Sequence, residues 1–190
     1  MYATVADPYC YPGTDILKNK PGFRDEAALR AFEAISAAQR ADELMPSGHF
    51  SVTHYRAIHR HIFQDVYRWA GRFRTVRISK GGNMFCYPEN IAPEMRALFS
   101  RLADDKYLRD LSSAEFSRKA AEFLATLNAI HPFREGNGRA QTSFLVLLAA
   151  NAGHPIDLGK LNPESFLNGM METFGGNERE LAAEVESLIA

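Results

Sequence analysis

The sequence has few cysteines, no excess of positive charge and no long apolar run. Its 190 residues include only Cys10 and Cys86, which lie far apart, so we predict neither a disulfide framework nor a cysteine-based zinc site and expect a reducing, cytoplasmic location. Lys and Arg number 22 against 23 Asp and Glu, which excludes a general attraction to nucleic acid or anionic lipid. The longest apolar run, residues 144–150, is far shorter than the roughly 20 residues that span a bilayer. We therefore predict no signal peptide, no membrane partner and no direct nucleic-acid partner.

The composition is that of one folded domain. Hydrophobic residues make up 46% of the chain and charged residues 24%, and the length suits a single core. Three prolines and two glycines interrupt the first 22 residues, which predicts an irregular arm at residues 1–22. We predict a single domain over residues 1–190.

Most of the remaining chain shows apolar residues at the three- and four-residue spacing of amphipathic helices. Ser51 and Ser113 precede two of these stretches and are predicted as their N-caps. The fold class is therefore all-α, with about seven helices. They are predicted over residues 25–44, 51–71, 89–102, 112–130, 138–150, 163–173 and 177–189.

One segment has a different period. Residues 73–79 nearly alternate between apolar and polar side chains and include β-branched residues, which predicts a strand. The Gly-Gly-Asn run at residues 81–83 suits a tight reversal, and an apolar path resumes at residues 84–87. We predict one β-hairpin over residues 72–87. It must lie on the helical body, because an isolated two-stranded hairpin is not stable in water.

The stretch HPFREGNGR, residues 131–139, concentrates chemically capable residues between two helices. Pro132 forces its predecessor out of the helical region, so the first helix ends at His131. The next helix begins among glycines, where unpaired N–H groups and the helix dipole form an anion site that Gly136 and Gly138 let a ligand approach closely. An imidazole beside that site can take a proton from an incoming hydroxyl.

Three further side chains in this stretch suit a polyphosphate. Asn137 can donate to a phosphate oxygen, Arg139 can clamp phosphate, and Glu135 offers a hard oxygen ligand for Mg²⁺. Each residue alone has a plain structural explanation, such as a loop histidine or a core phenylalanine. Together they favour nucleotidyl or phosphoryl transfer. The GxxxxGK[ST] motif and the third glycine of a dinucleotide fold are both absent, so the site belongs to another class.

The stretch HPFREGNGR resembles the HxFx[DE]GNGRxxR signature of Fic-domain proteins. Residues 11–20 also resemble the opening of bacterial Fic toxins, and the predicted hairpin occupies the place of the family's flap. The resemblance implies a mainly helical fold and an enzyme that transfers AMP from ATP to a Ser, Thr or Tyr hydroxyl of another protein. It implies a toxin role, with DNA gyrase or topoisomerase IV as the target protein.

The resemblance also implies residue roles within an active-site segment at residues 131–142. His131 would be the catalytic base and Glu135 the Mg²⁺ ligand. Gly136, Asn137 and Gly138 would form the anion hole. Arg139 would bind the departing phosphates, and Phe133 would be the buried anchor of the loop.

In the family, the edge of the flap pairs with the target segment through main-chain hydrogen bonds. Lys80 and Phe85 are then candidate flap contacts for the target. A solvated lysine and an ordinary packing phenylalanine are the alternatives.

The sequence departs from the signature at one position. Thr142 stands where the final arginine belongs, and its short neutral side chain cannot clamp a γ-phosphate. In the family that arginine is the partner of an inhibitory glutamate in an [ST]xxxE[GN] helix. Glu89 and Glu135 are the glutamates followed by Asn or Gly, and neither has Ser or Thr four residues earlier. We therefore expect no inhibitory helix in the chain itself, and regulation by a small helical antitoxin.

Two alternatives to AMP transfer stay open. Thr142 could mark an enzyme that uses another nucleotide or phosphate-containing group, and a degenerate Fic fold could act as a non-catalytic binding module.

Two other groups of residues have plainer explanations than function. His54, His59 and His61 have no carboxylate partner and are predicted as surface or core histidines. The arginines near the hairpin, at positions 72, 74 and 77, are predicted as a solvated face or a docking patch.

Overall fold

The computed structural model describes residues 7–80 and 82–190. Within these ranges the predicted helical bundle with one hairpin is confirmed, and no helix is both long and apolar enough to cross a membrane. The helices are α1 (Glu26–Ala41), α2 (Val52–Phe63), α3 (Pro88–Asp104), α4 (Ser113–Ile130), α5 (Asn137–Ala152), α6 (Pro163–Glu172) and α7 (Arg179–Leu188). The strands are β1 (Ser79–Lys80) and β2 (Asn83–Met84), which pair antiparallel. Short 3-10 turns lie at Lys106–Leu108, Leu158–Lys160 and Thr173–Gly175.

Side-chain caps mark the starts of α1, α2 and α4. Asp25 caps α1, and Ser51 caps α2 as predicted, each accepting a hydrogen bond from an N–H of the first turn. The predicted cap of α4, Ser113, is wrong by one residue. Ser112 is the cap because Glu115 completes a reciprocal capping box with it.

The second helix is shorter than its apolar spacing predicts. It ends at Phe63 rather than continuing to Gly71. The spacing continues because Val66 and Tyr67, which follow in a turn, are also buried, with their N–H groups bonded to the Phe63 carbonyl. A turn whose side chains are buried in the core can therefore show the same apolar spacing as a helix.

The core is built around aromatic rings from four helices. The ring of Phe144 in α5 meets Tyr55 of α2 and Phe99 of α3 edge-on and stacks on Phe123 of α4. The helix α7 also packs against α4. This packing holds the end of α4 and the start of α5, which carry the chemically capable stretch.

The predicted strand over residues 73–79 is wrong for most of its length, since β1 contains only residues 79 and 80. The buried guanidinium of Arg74 explains the difference. It donates hydrogen bonds to the carbonyls of Val76 and Cys86, 2.6 Å each, so side-chain bonds join the two arms of the hairpin where a strand ladder was expected. Gly81 lies outside the described residues, and Gly82 has the positive φ of 83° that the reversal needs.

The N-terminal arm is irregular over its described part. Residues 1–6 of the predicted arm lie outside the described residues. From residue 7 to residue 22 the chain forms turns and one bridge between Cys10 and Leu17. The Arg134 guanidinium pairs with Asp7 at 2.8 Å, so the arm contacts the stretch between α4 and α5.

Candidate active site

His131 lies at the C-terminal end of α4 in a left-handed conformation, with φ of 47°. Its Nδ1 is 3.3 Å from the carbonyl oxygen of Asn128, which assigns the proton to Nδ1 and leaves a lone pair on Nε2. The ring stacks on Phe85, with centroids 3.9 Å apart. Nε2 is therefore the atom that can accept a proton.

The surroundings of His131 keep its imidazole neutral. Burial lowers the pKa of His131 to about 4, and the positive charges of Arg74 and Lys80 act in the same direction. The contact with the Asn128 carbonyl opposes this shift but does not reverse it. At neutral pH the ring is therefore in the form that a general base needs.

The lowered pKa of His131 predicts an unusual pH dependence. A reaction that needs the neutral imidazole should keep its rate as pH falls through 6.5, the ordinary histidine value, and lose half of it near pH 4. The unfolded chain takes up this proton from pH 6.5 downward and the folded protein does not, so stability should fall over the same window. Rates measured from pH 8 to pH 4, with activity recovered on return to pH 7, test this. A midpoint near 6.5 would contradict it.

Phe133 anchors the loop between α4 and α5. Its ring is fully buried and lies 3.7 Å from the His59 ring and 5.4 Å from the Tyr55 ring, measured between centroids. Its backbone N–H donates to Asn137 Oδ1, and Asn137 Nδ2 donates back to its carbonyl, both at 2.9 Å. These bonds hold the loop in one conformation.

Asn137 differs from the sequence-based expectation. Its side chain was expected on a phosphate oxygen, but it is buried and both of its polar atoms bond Phe133. Its backbone N–H lies in the first turn of α5 and is one of the donors without an acceptor at the N-terminal end of that helix.

The N-terminus of α5 presents backbone N–H groups that are free within the helix. Gly136 is its N-cap with φ of 80°, and the N–H groups of residues 137–139 have no acceptor within the helix. Gly138 is exposed at the helix start. Partial positive charge therefore gathers at one end of the loop, and His131 lies at the other end.

Glu135 lies between these two ends with an exposed side chain. One carboxylate oxygen accepts from the Gly136 N–H at 2.9 Å, and its carbonyl oxygen is 2.9 Å from His59 Nε2. The described part of the chain holds no group of three or more His, Cys, Asp or Glu that could bind a metal ion. A cation here would therefore take Glu135 and oxygens supplied by a ligand.

Arg139 is held by two neighbours that the sequence did not indicate. Its guanidinium lies over the Phe63 ring, 4.5 Å from the centroid, and forms an ion pair with Glu33 of α1. The second carboxylate oxygen of Glu33 accepts a hydrogen bond from the buried Tyr67 hydroxyl. Glu33 and Arg139 are 106 positions apart, so no local pattern could have revealed the pair.

The two candidate flap contacts differ in position. Lys80 is exposed on β1. Phe85 is 6% exposed, and its ring lies between His131 and Phe174, so the structure places it as a packing residue against the imidazole rather than on the outer face. Thr142, the departure from the signature, is partly exposed on α5, one turn beyond Arg139.

The three histidines of α2 are separate structural residues. The rings of His54, His59 and His61 each contact a different backbone carbonyl, at 2.7, 2.9 and 2.9 Å. The three arginines near the hairpin also lie in different environments. Arg72 is exposed, Arg77 lies over the Tyr87 ring, and the third, at position 74, is buried.

The comparison with known families decides the identity of this loop. The family model described as Fic/DOC family matches residues 49–149, which include α2, the hairpin, α4 and most of α5. The chain belongs to the Fic/DOC family. The predicted resemblance is therefore confirmed, and the loop described above occupies the family's signature stretch.

Individual members of the Fic/DOC family are similar over nearly the whole chain. The probable protein adenylyltransferase y4lH of Sinorhizobium fredii is 48% identical over 99% of this chain and 98% of its own length. The probable protein adenylyltransferase Fic of Escherichia coli K12 is 36% identical over 84% of this chain and 80% of its own. The N-terminal Fic domain of a Bartonella quintana effector protein, solved with bound ADP, is 29% identical with a TM-score of 0.88 and covers 96% of this chain and 94% of that one.

Proposed function

We propose that this Fic/DOC protein is a protein adenylyltransferase that moves AMP from ATP to a side-chain hydroxyl of another protein. The observation that carries the proposal is the neutral imidazole of His131 at one end of a short loop whose other end is the anion-binding start of α5. Similar proteins bear the name protein adenylyltransferase, and the Bartonella quintana domain was solved with ADP, a nucleotide.

In this proposal each part of the site carries out one step. His131 Nε2 takes the proton of the acceptor hydroxyl, whose oxygen then attacks the α-phosphorus as the bond to pyrophosphate breaks. The N–H groups of residues 137–139 stabilise the charge on the α-phosphate oxygens. Arg139 stabilises the charge that develops on the departing pyrophosphate. The products are the AMP ester of the target, pyrophosphate and one proton.

Glu135 is the proposed holder of Mg²⁺. Its exposed carboxylate fits this role, because Mg²⁺ in phosphate sites is commonly bound by one or two carboxylates with phosphate oxygens and water. When bound, the cation neutralises phosphate charge. The N–H of Gly136 bonds one oxygen of Glu135 and so orients the carboxylate.

Position-specific labelling tests the reaction. ATP labelled at the α-phosphate should label lysate proteins only when wild-type protein is added, whereas ATP labelled at the γ-phosphate should give no label beyond that of the lysate's own kinases, because pyrophosphate leaves. Label from the γ-phosphate that depends on His131 would contradict AMP transfer and indicate a kinase. The control is a His131→Phe variant, which keeps an aromatic ring against Phe85 and removes the base.

Thr142 makes the choice of nucleotide a separate question. Parallel assays with UTP, GTP and CTP at equal concentration address it. Transfer from one of these in preference to ATP would support the alternative that the enzyme uses another nucleotide. Nucleotide binding without any transfer would support a non-catalytic binding module.

The target and regulator rest on the family resemblance. We propose a toxin role with DNA gyrase or topoisomerase IV as acceptor, residues 72–87 as the flap that docks the target through Lys80, and a small helical antitoxin as regulator. Purified gyrase that stays unlabelled beside labelled lysate proteins would rule out that acceptor. Co-purification from a strain carrying the neighbouring reading frame tests the antitoxin, and a single retained chain would contradict it.

Two glycines of the loop offer a matched pair of substitutions. A Cβ at Gly138 meets nothing within 4 Å, so Gly138→Ala should leave the melting temperature unchanged or raise it while weakening ATP binding at the helix start. A Cβ at Gly136 would overlap the Phe63 ring, and its φ of 80° disfavours any side chain, so Gly136→Ala should destabilise the fold by about 1–3 kcal/mol or more. Calorimetry of unfolding and of ATP binding separates the two effects. Equal loss of stability in both variants would contradict this prediction.

A further inference from the structure

Arg74 is a buried arginine between the hairpin and the catalytic loop. Its side chain is 2% exposed, whereas the neighbouring residues 72–73 and 75–78 are exposed or partly buried. Burial of a guanidinium costs several kcal/mol unless hydrogen bonds and opposite charge compensate it. The contacts that provide this compensation show what the residue does.

The Arg74 guanidinium donates to four backbone carbonyls. Two belong to the end of α4 and the residue after it: Nε bonds the His131 carbonyl at 2.8 Å and Nη2 the Ile130 carbonyl at 3.2 Å. Two belong to the arms of the hairpin: Nη1 bonds the Val76 carbonyl and Nη2 the Cys86 carbonyl, both at 2.6 Å. The guanidinium of Arg74 therefore joins both arms of the hairpin to the C-terminal end of α4.

The end of α4 is a suitable place for this cation. The last carbonyls of a helix lack donors within the helix, and partial negative charge gathers there. The described residues provide no carboxylate partner for Arg74, so the carbonyls and the helix end carry the compensation. The planar fork of an arginine can reach several carbonyls at once, which the single ammonium of a lysine cannot do.

The same residue fixes the backbone of His131. The left-handed conformation of His131, with φ of 47° and ψ of 63°, is disfavoured for a residue with a Cβ. Arg74 bonds the peptide units on both sides of His131: Nη2 donates to the Ile130 carbonyl at 3.2 Å and Nε to the His131 carbonyl at 2.8 Å. The Arg74 backbone N–H also donates to the Pro132 carbonyl at 2.9 Å. A conformation of this kind persists where surrounding contacts determine it.

We infer that Arg74 is a positioning residue of the transferase, which holds the imidazole of His131 and the target-docking flap in a fixed mutual geometry. This inference rests on the proposed function. Because the flap places the acceptor hydroxyl and His131 takes its proton, a shift between them separates the two reacting groups. Misplacement by about 1 Å is enough to lower a rate by about 10²-fold.

Two variants and a matched control test the inference. Arg74→Lys keeps the positive charge, and Arg74→Met keeps much of the apolar stem. The control is Leu108→Ala, a buried residue before the start of α4, at the far end of an 18-residue helix from His131. It should lower the melting temperature clearly without touching the site. All proteins are assayed at a temperature where each is folded.

Three quantities are measured for each protein: the rate of AMP transfer at saturating ATP, the dissociation constant for ATP, and hydrogen exchange of the Cys86 amide, which bonds the Ala129 carbonyl at 3.0 Å. Both Arg74 variants should lose about 10²-fold in rate. Their ATP affinity should change less than about threefold, because the start of α5 is untouched. Exchange of the Cys86 amide should speed up in both variants and stay slow in Leu108→Ala.

Other results would overturn the inference. An Arg74→Met rate within threefold of wild type, or a loss that Leu108→Ala shares, would reduce Arg74 to a residue of general stability. Unchanged exchange at Cys86 would show that the flap is held by other contacts. Wild-type protein that transfers no label would contradict the proposed function, while the exchange measurement would still decide whether Arg74 holds the flap.

Discussion

His131→Ala is expected to lower the rate of AMP transfer by about 10²–10⁴-fold, the range that a positioned general base contributes. Without the imidazole, no group in the described loop replaces its Nε2 as acceptor of the hydroxyl proton. The rate is measured with α-labelled ATP at saturating concentration. ATP affinity should stay within about threefold of wild type, since the anion-binding groups belong to α5 and not to α4.

The controls for His131 separate chemistry from packing. His131→Phe keeps a ring beside Phe85 and should lose as much activity as His131→Ala. His49→Ala removes an exposed histidine outside the site and should leave the rate unchanged. If His131→Ala kept a rate within tenfold of wild type, another base or an unassisted attack would have to be considered.

Phe133→Ala is expected to destabilise the protein by about 3–5 kcal/mol, the usual cost of removing a buried phenylalanine ring. The ring is fully buried against His59 and Tyr55, so its removal leaves a cavity beneath the loop between α4 and α5. The free energy of unfolding is measured by urea denaturation at pH 7. Transfer activity should fall as well, because the loop loses its anchor.

A second phenylalanine provides the comparison for Phe133. Phe32 is partly exposed and packs on Phe23 of the N-terminal region, with ring centroids 5.5 Å apart. Phe32→Ala should therefore cost clearly less stability than Phe133→Ala and leave transfer intact. A loss below about 1 kcal/mol for Phe133→Ala would mean that the loop does not depend on this ring.

Local sequence was sufficient to predict most of the helices and the site loop. Helix caps act over three residues, as Ser51 shows, and Pro132 ends a helix through its own neighbour. The family could be recognised from this loop because the histidine, the glycines and the acidic residue of its signature lie within residues 131–139. The same local logic produced the errors at residues 64–71 and 73–79, where apolar spacing and alternation continue without the expected hydrogen bonds.

Residues close together in the chain were enough to predict the signature loop of the family, the helical class of the fold and the candidate reactive groups. The surroundings of that loop follow from the packed fold. Packing brings Glu33 to Arg139, His59 to the Glu135 carbonyl and the buried guanidinium of Arg74 to the end of α4. Burial and hydrogen bonding between distant segments depend on how whole helices pack, and no spacing within one segment records that packing.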